Sequence, residues 1–496
     1  MDGGQYRTTA LVKAGSSWVT TSRQGPGCLC NDACCLVEQL QTICAILVVT
    51  RYVERRFIMN KKILLVCDNR ESANWGCRST SIALGQILSR AGSVACIPRT
   101  PKVKPHPIGL LSPRLDRSRR ASWIWRRVLG FKGIRSAYGR MGGAADFVTV
   151  NPSISLSRFL RAANRDRQLA ELKERFYEAD TVVINGEGSL IFRNPPRRDL
   201  SFLLFAVELA CHLGKQVYFM NGMASYCPRS GTNPAVESAV VNTLGKCTAV
   251  ATRDPVSSEI LRSLGLPNTT WHPDAVFSWR VWHEGFFEHA NLKEFPGLFD
   301  SWPESEGFLR RWSDWPDSYI CISGASRPPG VDPNRWTPFF LRVVERIKAE
   351  LRPQVVLVDP SGDGYLEDVA TRTESFFIRP TTNILTGAYI LANARAYVSG
   401  RHHPSILASL GGTPCVFLES NSHKTESLQK VLQYENPQVF SFDESEENTD
   451  RIIDRVRESI AQGDRLRERI AHVATQRGRE AIQGISSTLG VNSPLT

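Results

Sequence analysis

Short apolar runs alternate with helix-length segments along this chain, in two separate blocks. The first block has buried-strand patterns at 63–67, 94–97, 181–185, 216–220 and 249–252, with helical periods at about 79–91, 157–178, 200–213, 234–245 and 255–264. The second has strand patterns at 319–323, 354–359, 396–399 and 415–418, with helices at 335–350, 363–372, 383–393, 405–410 and 425–433. A strand that feeds a helix cannot return as a hairpin. Successive strands then pair in parallel, and helices cover both faces of the sheet. At 496 residues the chain exceeds one ordinary core. Two doubly wound parallel-sheet domains facing a cleft are therefore expected, at 59–280 and 316–440. Residues 281–315, rich in Trp, Phe, Glu and Pro, break the rhythm and read as the linker. The tail, 441–496, carries an amphipathic Arg/Glu-dense stretch over 446–483 that is expected to pack as a helix across the two domains.

Residues 1–58 follow neither rhythm. They are expected to be disordered, or a non-native extension ahead of a natural start at Met59, where Met59-Asn60-Lys61-Lys62 leads into the first strand. Cys28, Cys30, Cys34 and Cys35 crowd this segment, but no His/Cys set follows at zinc-finger spacing, so no metal site is expected there. No apolar run reaches the roughly 18–20 residues that span a bilayer, and the stretch 43–49 lacks the basic residues before it and the small-residue cleavage site after it that mark a signal peptide. A cytoplasmic protein is expected. The net charge of +12 comes almost wholly from 99–140, where twelve Lys/Arg face a single acid, Asp116. Trp123, Trp125, Leu129 and Phe131 lie among these arginines. Nothing resembles a nucleic-acid fold, so the segment reads as a peripheral contact with anionic lipid at the inner face of the plasma membrane, or as a loop for a phosphorylated acceptor.

In open α/β sheets, ligands bind outside the carboxyl ends of strands. The richest such end is Ser399-Gly400-Arg401-His402-His403-Pro404, which runs from a strand into a helix. Arginine holds carboxylate or phosphate bidentately, and histidine moves protons near neutral pH. Lys424, at the start of the next helix, adds a second cation. Across the cleft, Asn74-Trp75-Gly76-Cys77 follows the first strand and could form a phosphate turn. Asn185-Gly186-Glu187-Gly188-Ser189 ends another strand and could present backbone N–H groups and an acid. Arg253 and Asp254, with Pro255 at a helix start, and His272-Pro273-Asp274 end two more. The spaced glycines of a dinucleotide site are absent, so NAD or FAD is not expected.

These strings carry a family resemblance. Ser399-Gly400-Arg401-His402-His403-Pro404-Ser405-Ile406-Leu407-Ala408, then Gly412-Thr413-Pro414 and Lys424, resembles the carboxyl-terminal signature of the polysaccharide pyruvyl transferase family. Arg253-Asp254-Pro255-Val256-Ser257, Leu264-Gly265 and Pro273-Asp274-Ala275 resemble its middle motifs, and 185–189 its glycine-rich motif. Two positions depart from that pattern: Cys77 stands where an acid is usual after Asn-x-Gly, and Glu187 where the middle glycine is usual. The resemblance implies a GT-B-like enzyme that moves a pyruvyl unit from phosphoenolpyruvate, its donor substrate, onto a sugar hydroxyl pair, with no further cofactor and no metal. The acceptor would be a cell-surface polysaccharide or its lipid-linked precursor. By position, His403 matches the family histidine and would be the general acid. Arg401 and Lys424, with Arg253, would hold the donor's anions, and Glu187 and Asp274 would meet the acceptor's hydroxyls. Asn74, Gly76, Gly186, Gly188, Ser189 and His402 would complete the substrate contacts. Two other readings stay open: a GT-B glycosyltransferase using a nucleotide sugar, with Glu419 and Glu426 on its ribose, and a non-catalytic carbohydrate-binding protein with the same fold.

Overall fold

The computed structural model describes residues 11–14, 17–20, 61–99, 147–227, 231–289, 318–326 and 332–491. The chain divides into two compact units, Met1–Phe57 and Ile58–Thr496. In the first unit, β1 (Leu11–Ala14) and β2 (Ser17–Thr20) pair as an antiparallel hairpin. The rest of the segment expected to be disordered, and the basic stretch beyond Arg99, lie outside the described residues.

The second unit contains two parallel sheets. The first is built from β3 (Lys62–Asp68), α1 (Trp75–Ser89), β4 (Ser93–Pro98), α2 (Pro152–Ala163), α3 (Arg167–Glu178), β5 (Thr181–Phe192), α4 (Arg198–His212), β6 (Gln216–Tyr226), α5 (Pro234–Leu244), β7 (Ala249–Thr252), α6 (Pro255–Ser263) and β8 (Thr270–Trp271). Two short helices, α7 (Ser278–Trp282) and α8 (Glu284–His289), follow. The second sheet is built from β9 (Tyr319–Ala325), α9 (Thr337–Leu351), β10 (Gln354–Val358), α10 (Tyr365–Arg372), β11 (Phe376–Ile378), α11 (Ile384–Ala392), β12 (Tyr397–Gly400), α12 (His402–Leu410), β13 (Cys415–Leu418), α13 (Lys424–Val431) and β14 (Val439–Phe440). Helices α14 (Glu446–Ala461) and α15 (Gly463–Thr488) close the chain.

Strand order is β4-β3-β5-β6-β7-β8 in the first sheet and β11-β10-β9-β12-β13-β14 in the second. The order reverses between β3 and β5 and between β9 and β12. These are the topological switch points, where helices leave on opposite faces and a crevice opens at the strand ends.

Several boundaries differ from the sequence pattern, each for a local reason. The helix expected at about 79 starts at Trp75, because Asn74 Oδ1 accepts from the N–H groups of Gly76 and Cys77 and caps it. The single helix expected at 157–178 is two, since Asp166 caps a fresh start by accepting from Gln168 and Leu169 N–H. The tail helix is also two, parted at Gly463 with φ +57°. Most consequential, the glycine-rich string 186–189 is not a turn but part of β5, whose pairing with β6 shifts register between Glu187 and Leu190.

One apolar cluster runs through both halves. It joins Leu65 and Trp75 of the first to Ile406 and Leu407 of the second and Val473 of α15. Trp75 is fully buried, its Nε1 donates to Pro380 O at 3.1 Å, and its ring lies where a Cβ on Gly387 would fall 2.4 Å away. Truncating an aromatic of this size in a core costs about 3–5 kcal/mol. Arg78 adds a bond to Thr382 O at 3.0 Å. Helix α15 touches α1 and α7 on one side and α12 on the other. Its Arg467 donates to Ala394 O and Ala392 O at 2.7 and 2.6 Å. The cleft between the sheets is thus held by shared core and strapped by the tail.

Candidate active site

A cavity of about 190 Å³ opens where the two switch points meet. The loop after β3 and the head of α1 supply Asn74, Gly76 and Cys77. Strand β4 ends in Arg99, β5 brings Glu187, Gly188 and Ile191, and Arg197 precedes α4. Arg253 leaves β7, Ser326 follows β9, Arg401, His402 and His403 span the end of β12 and the start of α12, and Asn421 and Lys424 follow β13.

His403 is the meeting point of the two halves. Its Nε2 lies 2.7 Å from Arg253 Nη1 and 3.2 Å from Asp274 Oδ2. The carboxylate is the partner when Nε2 carries a proton, and the guanidinium when it does not, so both protonation states of the ring are satisfied. Asp274 also receives Arg253 at 3.3 Å, with both side chains 2% exposed. Burial pushes the Asp274 carboxyl up. His403, Arg253 and His402 more than offset this and hold it well below the usual carboxylate range. His402 stands edge-on to His403 at 5.1 Å between ring centroids, and its Nδ1 pairs with Lys424 O at 3.1 Å. Burial, then Arg253 and His403, push His402 well below the ordinary histidine value, against the pull of Asp274. One nitrogen of each histidine and an Asp274 oxygen lie within 4.8 Å of one another, a spacing a metal ion could bridge. Arg253 Nη1 stands against two of these three groups.

Among the described residues, five cationic side chains line the cavity, and four are matched by acids. Arg401 pairs with Asp363, Arg253 with Asp274, and Arg99 and Arg197 share Asp199. Lys424 Nζ reaches only Ser326 Oγ, at 3.4 Å, and no acid lies within ion-pair distance among the described residues. Burial, then Arg253, Arg401 and Arg197, push its ammonium down to about 7, with Glu187 opposing.

On the first-domain wall, Glu187 accepts from Cys77 Sγ at 3.0 Å and from Asn69 Nδ2 at 2.5 Å, with Arg99 3.6 Å away. Burial and then Glu187 push the Cys77 thiol far up, so it is a neutral S–H.

Most of the residues singled out in the sequence converge here, in roles that packing sorts. Asn74 is a helix cap. Gly76 makes room for the opposite domain: a Cβ there would lie 2.4 Å from His403 Nδ1. Gly186 is needed by Phe219 and Gly222, which a Cβ would meet at 2.3 and 2.6 Å, and it does not line the cavity. Ser189 Oγ accepts from Arg99 at 3.0 Å, while Gly188 O accepts from Arg197 at 3.2 Å. Asp254 caps α6 and receives Ser427 Oγ of the second half at 2.9 Å, a tie between domains. Glu426 pairs with Lys430 on the surface, and neither it nor Glu419 lines the cavity. Arg99, Arg197, Asp199 and Asp363 are the residues sequence reasoning missed. Arg99 and Arg197 do follow or precede strands and helices at the switch-point end, which is the signal that could have found them.

The close fit at Gly76 carries a prediction. Gly76→Ala should push the His403 ring off its partners and lower kcat by about 10²-fold, with a stability loss of about 1–3 kcal/mol. Steady-state kinetics beside a thermal melt check this; an unchanged kcat would mean the ring's place is not needed.

A family model for polysaccharide pyruvyl transferase matches residues 81–422, more than half of the chain. No curated protein matches the sequence. Among solved structures, the UDP-GlcNAc 2-epimerase of Neisseria meningitidis bound to UDP-GlcNAc aligns with a TM-score of 0.50 at 12% identity, over 86% of this chain and 99% of that one. The UDP-N-acetylglucosamine 2-epimerase of Rickettsia bellii gives 0.45 at 11%, over 87% and 99%. The N-terminal domain of Candida albicans trehalose-6-phosphate phosphatase gives 0.48 at 10%, over 86% and 98%. At such identity the likeness to the Neisseria enzyme speaks for the two-domain GT-B fold alone. With its signature strings gathered around one cavity, the chain belongs to the polysaccharide pyruvyl transferase family.

Proposed function

We propose that this protein transfers the pyruvyl unit of phosphoenolpyruvate to a hydroxyl pair of a sugar, forming a ketal and releasing phosphate. The observation that carries the reading is the cavity itself: a small volume in which an ammonium without an acid partner faces three cationic neighbours and a histidine with partners for both protonation states. A volume of about 190 Å³ suits a three-carbon phosphorylated acid. Pockets for larger organic ligands run about 300–1,000 Å³, which weighs against a nucleotide sugar held whole in this space.

Ketal formation adds two sugar oxygens to C2 of the donor, breaks the C2–O bond to phosphate with its electron pair, and puts one proton on C3. His403 delivers that proton. Of the two hydroxyl protons released, one restores His403 and the other leaves with phosphate. Lys424, with Arg253 and Arg401, holds the donor's carboxylate and phosphate, and the ion pairs to Asp274 and Asp363 keep those guanidinium planes in place. Arg253 also stabilises the neutral ring left after proton transfer. The acceptor belongs to a cell-surface polysaccharide or its lipid-linked precursor. The enzyme works on the cytoplasmic side, with the basic segment beyond the cavity residue Arg99, up to residue 140, resting on anionic lipid.

The test is direct. The purified protein, given phosphoenolpyruvate and lipid-linked sugars bearing adjacent hydroxyls, is expected to release inorganic phosphate only when both are present. Release of a nucleoside diphosphate from a nucleotide sugar instead would replace this reading with glycosyl transfer. Sugar binding with neither release would leave a non-catalytic carbohydrate-binding protein.

A further inference from the structure

Glu187 stands at a left-handed backbone position, φ +33°, which glycine adopts without strain and a carboxylate-bearing residue does not. The pairing of β5 with β6 shifts register from this position to Leu190, and such irregularities re-aim side chains. Here the Glu187 carboxylate reaches the β3–α1 loop and the head of α1, where Asn69 Nδ2 and Cys77 Sγ each donate to one of its oxygens. Each oxygen keeps a lone pair. Arg99, whose closer partner is Asp199, lies 3.6 Å from the carboxylate. Burial pushes the Glu187 carboxyl up, but Arg99, His403 and the Cys77 thiol more than offset it. The result is an ionised acceptor on the cavity wall, beside Gly188, where a Cβ would meet nothing within 4 Å. Sugar hydroxyls are the donors that complement it.

Cys77 is the other half of the arrangement. An acid at 77 would set a second negative charge against Glu187 at about the 3.0 Å now spanned by the thiol contact, whereas a neutral S–H donates there. Acids at the two positions exclude each other.

We propose that Glu187 holds the acceptor's hydroxyl pair, and that Cys77 is the neutral partner that lets this carboxylate stand on β5 instead of at the head of α1. The departures at 77 and 187 are then one exchange, a carboxylate moved between two touching positions on the same wall. The proposal rests on the pyruvyl-transfer reading above and names the acceptor's subsite within it.

Four variants test it: Glu187→Gln, Glu187→Gly, Cys77→Asp, and Cys77→Asp with Glu187→Gly. Glu187→Gln is expected to lower kcat/KM for the acceptor roughly 10²-fold, while the calorimetric Kd for phosphoenolpyruvate stays within about twofold. Cys77→Asp and Glu187→Gly should each lose acceptor turnover, and the double variant should regain about tenfold over either. Wild-type acceptor kinetics in Glu187→Gln, or a double variant no better than the product of the singles, would overturn the proposal. So would Glu187→Gln losing donor affinity, acceptor affinity and melting temperature together, since the carboxylate would then be structural. If the wild-type protein releases no phosphate from phosphoenolpyruvate, pyruvyl transfer itself fails. Calorimetry of the sugar acceptor against wild type and Glu187→Gln then still decides the carboxylate's role, and equal affinities overturn it.

Discussion

His403→Ala is expected to lower kcat by about 10²- to 10⁴-fold, the range a positioned general acid contributes, with the far-ultraviolet circular dichroism unchanged. The ring sits at the seam of the two halves, with Nε2 2.7 Å from Arg253 Nη1 and 3.2 Å from Asp274 Oδ2. In the proposed transfer, removing it takes away the proton for C3 of the donor, and it leaves Arg253 and Asp274 still paired at 3.3 Å, so no lone charge is buried. That is why activity should fall far more than stability. Asp274→Asn supplies the companion measurement. It keeps the shape but removes the carboxylate that orients a protonated ring and anchors Arg253, and should lower kcat and also raise KM for the donor. Retained turnover in His403→Ala would take the residue out of the mechanism.

Lys424→Met should lower kcat/KM for phosphoenolpyruvate about 10²-fold, or ~3 kcal/mol, the cost of stripping one member from a buried charge pair. The pH dependence sharpens the test. Burial and the three surrounding guanidinium groups bring Lys424 down to about 7 in the empty site. The donor is an anion, so it binds the ammonium form. Below pH 7 that form is already present. As pH rises above 7 it must be created by proton uptake, and donor affinity should fall by roughly tenfold per unit in the limit. Glu187 pulls the other way, while Arg253, Arg401 and Arg197 deepen the effect. The alkaline limb should vanish in Lys424→Met, and Lys424→Arg should keep affinity without it. A limb that persists in Lys424→Met would assign the titration to another group.

Periodicity and strand-end chemistry read from the chain locate both sheets and the cavity's second-domain wall. They do so because a strand's burial and a helix's amphipathic stripe are properties of neighbouring residues. The string 399–403 is legible for the same reason: a strand end, a helix start and their polar residues are contiguous. The first-domain wall is harder. The string 186–189 resembles a turn because it is glycine-rich, and it is strand because Gly186 lets Phe219 and β6 close upon it. Gly76 could face ligand or domain, and only the approach of His403 decides between them.

Residue order alone, then, settles two parallel-sheet halves and a strand end that carries an arginine and two histidines, since each depends on local pattern. Which cation keeps its charge available is settled elsewhere. Arg401, Arg253 and Arg99 find acids that lie tens of residues distant, Arg197 shares the Asp199 that pairs with Arg99, and Lys424 finds none among the described residues. Coulomb energy depends on distance and burial after the loops have been packed. The same packing brings Glu187 to Cys77 and makes one arrangement of two unusual residues.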